Sequence, residues 1–85
     1  MNITYVGRNN ECYGNENPIA LIGYDEEKET SRADRVFESL QSAGWEVFVE
    51  EGMAVIPLPF GRDQYDDLKA DYMNAKKRQM DNVVL

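Results

Sequence analysis

The spacing of apolar residues between Ser31 and Leu58 changes once, and that change predicts a helix followed by a hairpin. Within Ser31–Ala43 the apolar residues recur every three or four positions, as in a helix with one buried face. They are Ala33, Val36, Phe37, Leu40 and Ala43. Ser31 is placed to cap the first turn, and Gly44 to close the helix because glycine adopts a positive φ without strain.

From Trp45 to Glu50 the apolar spacing shortens to near-alternation among β-prone residues, which predicts a strand. Glu51-Gly52 then predicts a two-residue turn. The resulting register pairs Glu50 with Met53, Val49 with Ala54, Phe48 with Val55, Val47 with Ile56 and Trp45 with Leu58. One face is suited to a core and carries Trp45, Val47, Val49, Ala54, Ile56 and Leu58. A slip of one residue would exchange the two faces, so the apolar pattern specifies the register.

The front of the chain predicts two more strands. We place them at Asn2–Val6 and Ile19–Tyr24, joined by the polar, asparagine-rich loop Gly7–Pro18. Ile19–Tyr24 is almost continuously apolar, which is typical of a strand in the middle of a sheet. The carboxylate-rich segment Asp25–Glu29 leads from there to the helix.

A second helix is predicted from Gln64 to about Met80, with Asp63 as its cap. Its buried stripe recurs at alternating spacings of three and four, in Tyr65, Leu68, Tyr72, Ala75 and Gln79. The tail Asn82–Leu85 could add an edge strand, pack against the domain or fray. The order ββαββα predicts a single α+β domain over residues 1–85, in which an antiparallel-dominated sheet has both helices packed on one face.

The charge of the chain restricts the classes of molecule that it is expected to bind. Nine basic and sixteen acidic residues give a net charge of −7, and histidine is absent. Residues 1–57 hold four basic and eleven acidic residues, whereas residues 58–85 hold five of each. Such a surface argues against direct binding to nucleic acid or to anionic membranes, since both require positive charge from the protein. It suits a basic protein partner, and it equally suits solubility alone.

The side chains that the usual nucleophilic catalysis requires are missing, and paired carboxylates could still do acid–base work, but a chain this short rarely encloses a substrate as well. No histidine is present to activate Cys12 or a serine, and one cysteine without histidine excludes the common zinc sites. The carboxylates of Asp25–Glu29 lack the glycine and alternating spacing of a calcium loop and suit a helix start instead. The glycines form no phosphate-binding pattern. We therefore predict a protein that is not an enzyme and has no catalytic, metal-binding or cofactor-binding residues.

The same inventory predicts a cytoplasmic protein. A single cysteine gives no sign of an oxidising compartment. Met1–Val6 lacks the basic start and long apolar run of a signal peptide. No segment is apolar over the length that a bilayer requires, so no membrane partner is expected.

The first of three candidate contact surfaces is the outer face of the hairpin. Phe48 and Val55 would stand there side by side, flanked by Met53. The acidic residues that border them are Glu46, Glu50 and, in the turn, Glu51. An apolar centre with a charged rim is typical of a protein-binding patch. The alternative is that the second helix or the N-terminal segment covers it as a second small core.

The second candidate is an acidic stripe on the second helix, formed by Asp63, Asp67 and Asp71. Its steps of about 6 Å approach the spacing of phosphates, so it could imitate a nucleic-acid backbone toward a basic groove. The alternative is a solvated helix face. The third candidate is the Gly7–Pro18 loop, with Glu11 and Tyr13 as contact residues; the alternative there is a disordered connection.

The whole profile resembles the small phage-encoded inhibitor proteins, including the anti-CRISPRs. The resemblance rests on the short chain, the absence of catalytic motifs and the charge of Asp25–Glu29, Glu46, Glu50, Glu51 and Asp63–Asp71. It assigns no residue a role. It implies an acidic inhibitor, a nucleic-acid mimic that docks on a basic nucleic-acid-binding surface of a host protein. The alternative is a homo-oligomeric structural or regulatory module, such as a homodimer, that pairs through the Phe48/Val55 face or the tail Val83–Leu85.

Overall fold

The most apolar strands lie in the middle of a four-stranded antiparallel sheet. The computed structural model describes the backbone of residues 1–84 and the side chains of residues 1–78. Its elements are β1 (Asn2–Val6), β2 (Ile19–Gly23), α1 (Thr30–Ser42), β3 (Phe48–Glu50), β4 (Met53–Pro57) and α2 (Arg62–Val84). The strand order is β1-β2-β4-β3, with every neighbouring pair antiparallel. The predicted α+β class, the order ββαββα and the central position of β2 are confirmed.

Alternation along the strands directs one set of side chains into a single core. Ala20 and Ile22 of β2 and Ala54 and Ile56 of β4 are completely buried. The helices add Ala33, Val36, Phe37, Leu40, Tyr65, Leu68, Tyr72 and Ala75 to the same cluster. Both helices therefore cover the same face of the sheet, as predicted. Full burial stabilises the fold by about 1.5–3 kcal/mol for each large apolar side chain, which makes this cluster the main source of stability.

The hairpin has the predicted register near its turn. Phe48 pairs with Val55, Val49 with Ala54 and Glu50 with Met53, and Gly52 in the turn has a φ of 70°. The two predicted pairs farther from the turn are not part of the ladder, because β3 begins only at Phe48. The backbone N–H of Leu58 instead donates to the Pro18 carbonyl at 2.8 Å, on the β2 side of the strand.

Val49 lies on the predicted face, opposite Ala54, but the prediction that it is part of the core is wrong. Its side chain is 49% exposed, and it is absent from the residues that pack against the core. The reason is the position of β3 at the edge of the sheet, where a strand has a neighbour on one side only. Trp45 and Val47, on the segment that leads to β3, do pack against the core and are half-buried.

Helix α1 follows a turn that the side chain of Asp25 caps. Asp25 Oδ1 accepts hydrogen bonds from the backbone N–H groups of Glu27 at 2.9 Å and Lys28 at 3.3 Å. Glu29, not Ser31, holds the N-cap position, and it makes no side-chain capping bond. The predicted Ser31 cap is wrong because the capped turn carries the chain into the helix at Thr30, which puts the N-cap two residues earlier than predicted.

Helix α1 ends in a Schellman motif built on Gly44, which has a φ of 102°. The Gly44 N–H donates to the Gln41 carbonyl at 3.0 Å, and the Trp45 N–H donates to the Leu40 carbonyl at 3.1 Å. These two bonds define the motif and satisfy carbonyls at the helix end. Ala43, predicted as part of the buried stripe, is the exposed C-cap residue instead.

Helix α2 starts earlier and ends later than predicted. Asp63 lies within its first turn and is not its cap. The predicted buried stripe is confirmed for Tyr65, Leu68, Tyr72 and Ala75, whereas the side chain of Gln79 lies outside the described residues. The helix continues to Val84, so the tail is not an edge strand up to that residue. Leu85 and the other side chains of the tail lie outside the described residues.

Tyr72 gives a prediction about stability. Its hydroxyl is buried and has no hydrogen-bond partner among the described residues, and burial raises the pKa of Tyr72. An unpaired buried polar group costs about 1–3 kcal/mol. We therefore expect Tyr72→Phe to raise the free energy of unfolding by about 1 kcal/mol in urea titrations. Tyr65→Phe on the same helix is the matched control and should give no gain; a loss at Tyr72 would contradict the interpretation.

Candidate protein-binding surface

The helices leave the second face of the sheet open. Alternation places on it Asn2, Thr4, Val6, Ile19, Leu21, Gly23, Phe48, Glu50, Met53, Val55 and Pro57. Val6 and Leu21 are buried there, at 6% and 8% exposure, although neither belongs to the core cluster. Among these strand residues, all of which the structure describes, Glu50 is the only charged one. The face is thus apolar with a polar margin.

Exposure on this face rises from β2 through β4 to β3. Thr4, Leu21, Val55 and Phe48 form one row across the four strands. Leu21 is almost fully buried, Val55 is half-buried and Phe48 is 55% exposed. Over the described residues, neither α2 nor the N-terminal segment covers Phe48, so this part of the face is not a second core. We call Phe48, Met53 and Val55 on this face, together with Val49 on the other face of β3, the β3 edge patch.

Carboxylates from two distant segments meet at one end of the sheet. The Tyr24 N–H donates to the Gly52 carbonyl at 3.0 Å, and the Tyr24 hydroxyl donates to the Glu50 carbonyl at 3.4 Å. A Cβ at Gly52 would lie 3.2 Å from Glu26 Oε1, so the Glu26 side chain lies over the turn. These contacts bring Glu26 beside Glu50 and Glu51 next to the β3 edge patch.

The two strands of the hairpin carry no positive charge. No lysine or arginine occurs between Arg35 and Arg62, a stretch that includes all of β3 and β4. Glu46, Glu50 and Glu51 are exposed on either side of β3. The patch therefore has an apolar centre and an acidic border, which is the arrangement expected from the sequence.

Glu29 belongs to the same acidic segment but serves the fold. Its carboxylate accepts hydrogen bonds from the Met1 amino group at 3.0 and 3.1 Å and from the Asp25 N–H at 3.1 Å. The bond from Asp25 lowers the pKa of Glu29, and the bond from the amino group lowers it further. Glu29 thus ties the start of β1 to the start of α1.

The acidic stripe on α2 does not extend the open face. Asp63 and Asp67 are exposed, but they lie in the helical layer, on the opposite side of the sheet from Phe48. Asp71 is half-buried, and its Oδ2 accepts a hydrogen bond from Trp45 Nε1 at 2.8 Å. Asp71 therefore connects α2 to the chain between α1 and β3, a role that its charge pattern alone did not indicate.

The Gly7–Pro18 loop is held by its own hydrogen bonds. Asn15 Nδ2 donates to the Gly7 carbonyl at 3.0 Å and to the Asn17 carbonyl at 2.7 Å, and the Asn9 N–H donates to the Asn15 carbonyl at 2.7 Å. Glu11 is exposed and Tyr13 is 50% exposed.

The loop and the β3–β4 turn lie at opposite ends of the sheet. The loop follows the end of β1 at which Val6 pairs with Ile19. The turn lies next to Met53, which pairs with Gly23 at the other end of β2. The structure therefore does not bring Glu11 and Tyr13 together with the β3 edge patch.

Among the described residues, a metal site, a ligand pocket and a membrane-spanning helix have less support than a protein-binding surface. Among the described residues, no group of three or more His, Cys, Asp or Glu side chains could hold a metal ion. A shallow groove of about 210 Å³ beside Trp45 has Glu46 as its one titratable lining residue. Over the part of the chain that the structure describes, neither helix is long and apolar enough to cross a membrane.

No model of a known protein family, no curated protein and no solved structure matches this chain.

Asp71 can be separated from the rest of its stripe by mutation. We expect Asp71→Ala to lower the free energy of unfolding by about 1.5–3 kcal/mol, since it removes a charged acceptor from a half-buried donor. Asp71→Asn keeps an acceptor and should cost less. Asp67→Ala, at an exposed position one helical turn away, should change stability by less than about 0.5 kcal/mol. Equal losses of unfolding free energy for the Asp67 and Asp71 variants in urea titrations would contradict a structural role for Asp71.

Glu29 predicts a dependence of stability on pH. Its pKa in the folded protein lies below the ordinary value of 4.5, so its contribution is complete above that value and is lost as pH falls through the folded pKa. Glu29→Gln should lower the urea midpoint at about pH 7, and its difference from the parent protein should shrink at about pH 3. Glu27→Gln, an exposed neighbour, is the control. A difference that stays constant with pH would contradict the ion pair.

Proposed function

We propose that this chain is a non-enzymatic, acidic binding protein. In this proposal it is a phage-type inhibitor similar to the anti-CRISPRs, and it docks on a basic, nucleic-acid-binding surface of a host protein. The observation that carries the proposal is the β3 edge patch, an exposed apolar centre at Phe48 bordered by Glu46, Glu50 and Glu51 with no lysine or arginine nearby in the sequence.

The chemistry of this patch is complementary to that of a partner surface that normally binds nucleic acid. Such surfaces are rich in lysine and arginine because they must neutralise phosphates. Carboxylates at the border would steer a basic surface into place, and burial of an aromatic side chain would supply much of the affinity. The Glu26 side chain lies beside Gly52, and the backbone of the turn is bonded to Tyr24, so the segment that carries Glu50 and Glu51 is held in place before binding.

The second candidate function is a homo-oligomeric structural or regulatory module. The observation in its favour is the exposure of Phe48 at 55% and Val49 at 49%, since a small domain gains stability by covering such side chains. Against it, a second copy brings the same acidic border and supplies no opposite charge. The two functions differ in their response to salt, because apolar pairing is far less sensitive to ionic strength than charge pairing.

The test uses the immobilised full chain and nuclease-treated lysate of the host. We expect it to retain nucleic-acid-binding proteins at about 50 mM salt and to release them at about 500 mM. Added duplex DNA or RNA should also release them, because the protein and the polynucleotide would compete for one surface. A Glu26→Gln/Glu50→Gln/Glu51→Gln variant is the control and should retain less.

Two results would oppose the proposal. One is the absence of any retained nucleic-acid-binding protein at low salt. The other is a partner whose retention added polynucleotide does not change. A concentration-dependent mass in light scattering, unchanged by salt, would support the homo-oligomeric module instead.

A further inference from the structure

The strand β3 is an edge strand with apolar side chains on both of its faces. It pairs with β4 on one side and has no neighbour on the other among the described residues. Phe48 and Val49 follow one another along the strand and are 55% and 49% exposed, and successive side chains of a strand point to opposite faces. A proline, a lysine or a bulge commonly protects such an edge. β3 contains none of these, and its protection consists of its short length and the flanking carboxylates.

We infer that this edge accepts an extended, basic segment of the partner as a fifth strand of the sheet. The inference rests on the proposed function and names both the surface and the kind of segment that it binds. A strand added beside β3 would pair with its unpaired backbone groups. Its alternating side chains would lie beside Phe48 on the open face and beside Val49 on the other face. A partner that only lay flat on the open face would leave Val49 uncovered.

The charges around β3 select the composition of that segment. Glu46 precedes the strand, Glu50 ends it and Glu51 is in the turn, and all are exposed. Opposite charges stabilise directly opposed positions of neighbouring strands, and like charges destabilise them. A segment that alternates lysine or arginine with apolar residues would place its basic side chains on the open face, beside Glu50 and over the ring of Phe48, and its apolar side chains beside Val49 on the other face.

A second copy of this chain fits the edge less well. Antiparallel pairing of β3 with itself would gather Glu46, Glu50 and Glu51 from both copies along one edge. No lysine or arginine between Arg35 and Arg62 would compensate these charges.

The opposite edge of the sheet, formed by β1, is also less suited to a basic strand. The Tyr5 side chain of β1 contacts the Tyr65 ring at 5.2 Å, and the Arg62 guanidinium lies 4.9 Å from the Tyr5 ring. One face of β1 is therefore already covered from α2. The other face presents the polar residues Asn2 and Thr4.

The test uses the full isotope-labelled chain and a short synthetic peptide of alternating lysine and valine. We expect amide shifts centred on Phe48, Val49 and Glu50, and hydrogen exchange roughly tenfold slower at the outward-facing β3 amides. A peptide of alternating glutamate and valine should not bind. A lysine–valine peptide with N-methyl groups on alternate backbone nitrogens keeps its charge but cannot pair, so it should not slow exchange.

Two double variants separate this edge from general attraction between opposite charges. Glu50→Lys with Glu51→Lys, and Asp63→Lys with Asp67→Lys, each change the net charge by +4, from −7 to −3. The first pair should weaken lysine–valine peptide binding by roughly tenfold or more, and the second by much less. Circular dichroism of both variants should match that of the parent chain.

Three outcomes would overturn the inference. Equal weakening by both variant pairs, with shifts spread over α2, would show electrostatic attraction without strand addition, and the proposed function would still stand. If the lysine–valine peptide does not bind at low salt, the β3 edge is not a binding site for basic strands. Slow exchange of β3 that depends on protein concentration without peptide would assign the edge to a second copy. The lysate experiment tests the proposed function independently of these outcomes.

Discussion

The fold depends on one constraint: two helices cover one face of a four-stranded sheet and leave the other face to the strands alone. All core side chains of β2 and β4 meet the helices on the covered face. On the open face, Val6 and Leu21 are buried on the β1–β2 side, whereas Phe48 on the far strand is not. Phe48 is exposed because neither helix packs on the side of the sheet to which it points. Because small domains bury a limited fraction of their surface, such a residue favours a protein that completes its packing with a partner.

The acidic residues divide into those that build the fold and those that do not. Asp25 caps the turn before α1, Glu29 pairs with the amino terminus, and Asp71 accepts the Trp45 hydrogen bond. Each of these carboxylates is used within the domain. The net charge therefore overstates the negative charge that is available for contact with a partner. The exposed carboxylates around β3 are a better guide to that available charge.

The sequence predicted the features that depend on near neighbours and missed those that depend on distant ones. The α1 stripe from Ala33 to Leu40 and the three hairpin pairs nearest the turn follow from local spacing and from Gly52, and these agree with the structure. The exposure of Val49 depends on which strand lies at the sheet edge, which alternation along β3 cannot indicate. The role of Asp71 depends on Trp45, 26 residues away, so helical spacing suggested only a charged stripe. The Phe48/Val55 patch was predicted because cross-strand pairing in a tight hairpin is itself local.

The carboxylates beside β3 have two effects that arise from one physical cause. An exposed edge strand with apolar side chains on both faces is a template for pairing with other chains, including copies of itself. Like charges from a second copy oppose self-pairing, and the same charges favour a strand that carries lysine or arginine. Removing these charges would weaken both effects together, because one set of side chains produces them. Under the proposed function the acidic border selects the partner, and this role depends on where the charges lie, whereas charge placed anywhere on the surface would serve solubility.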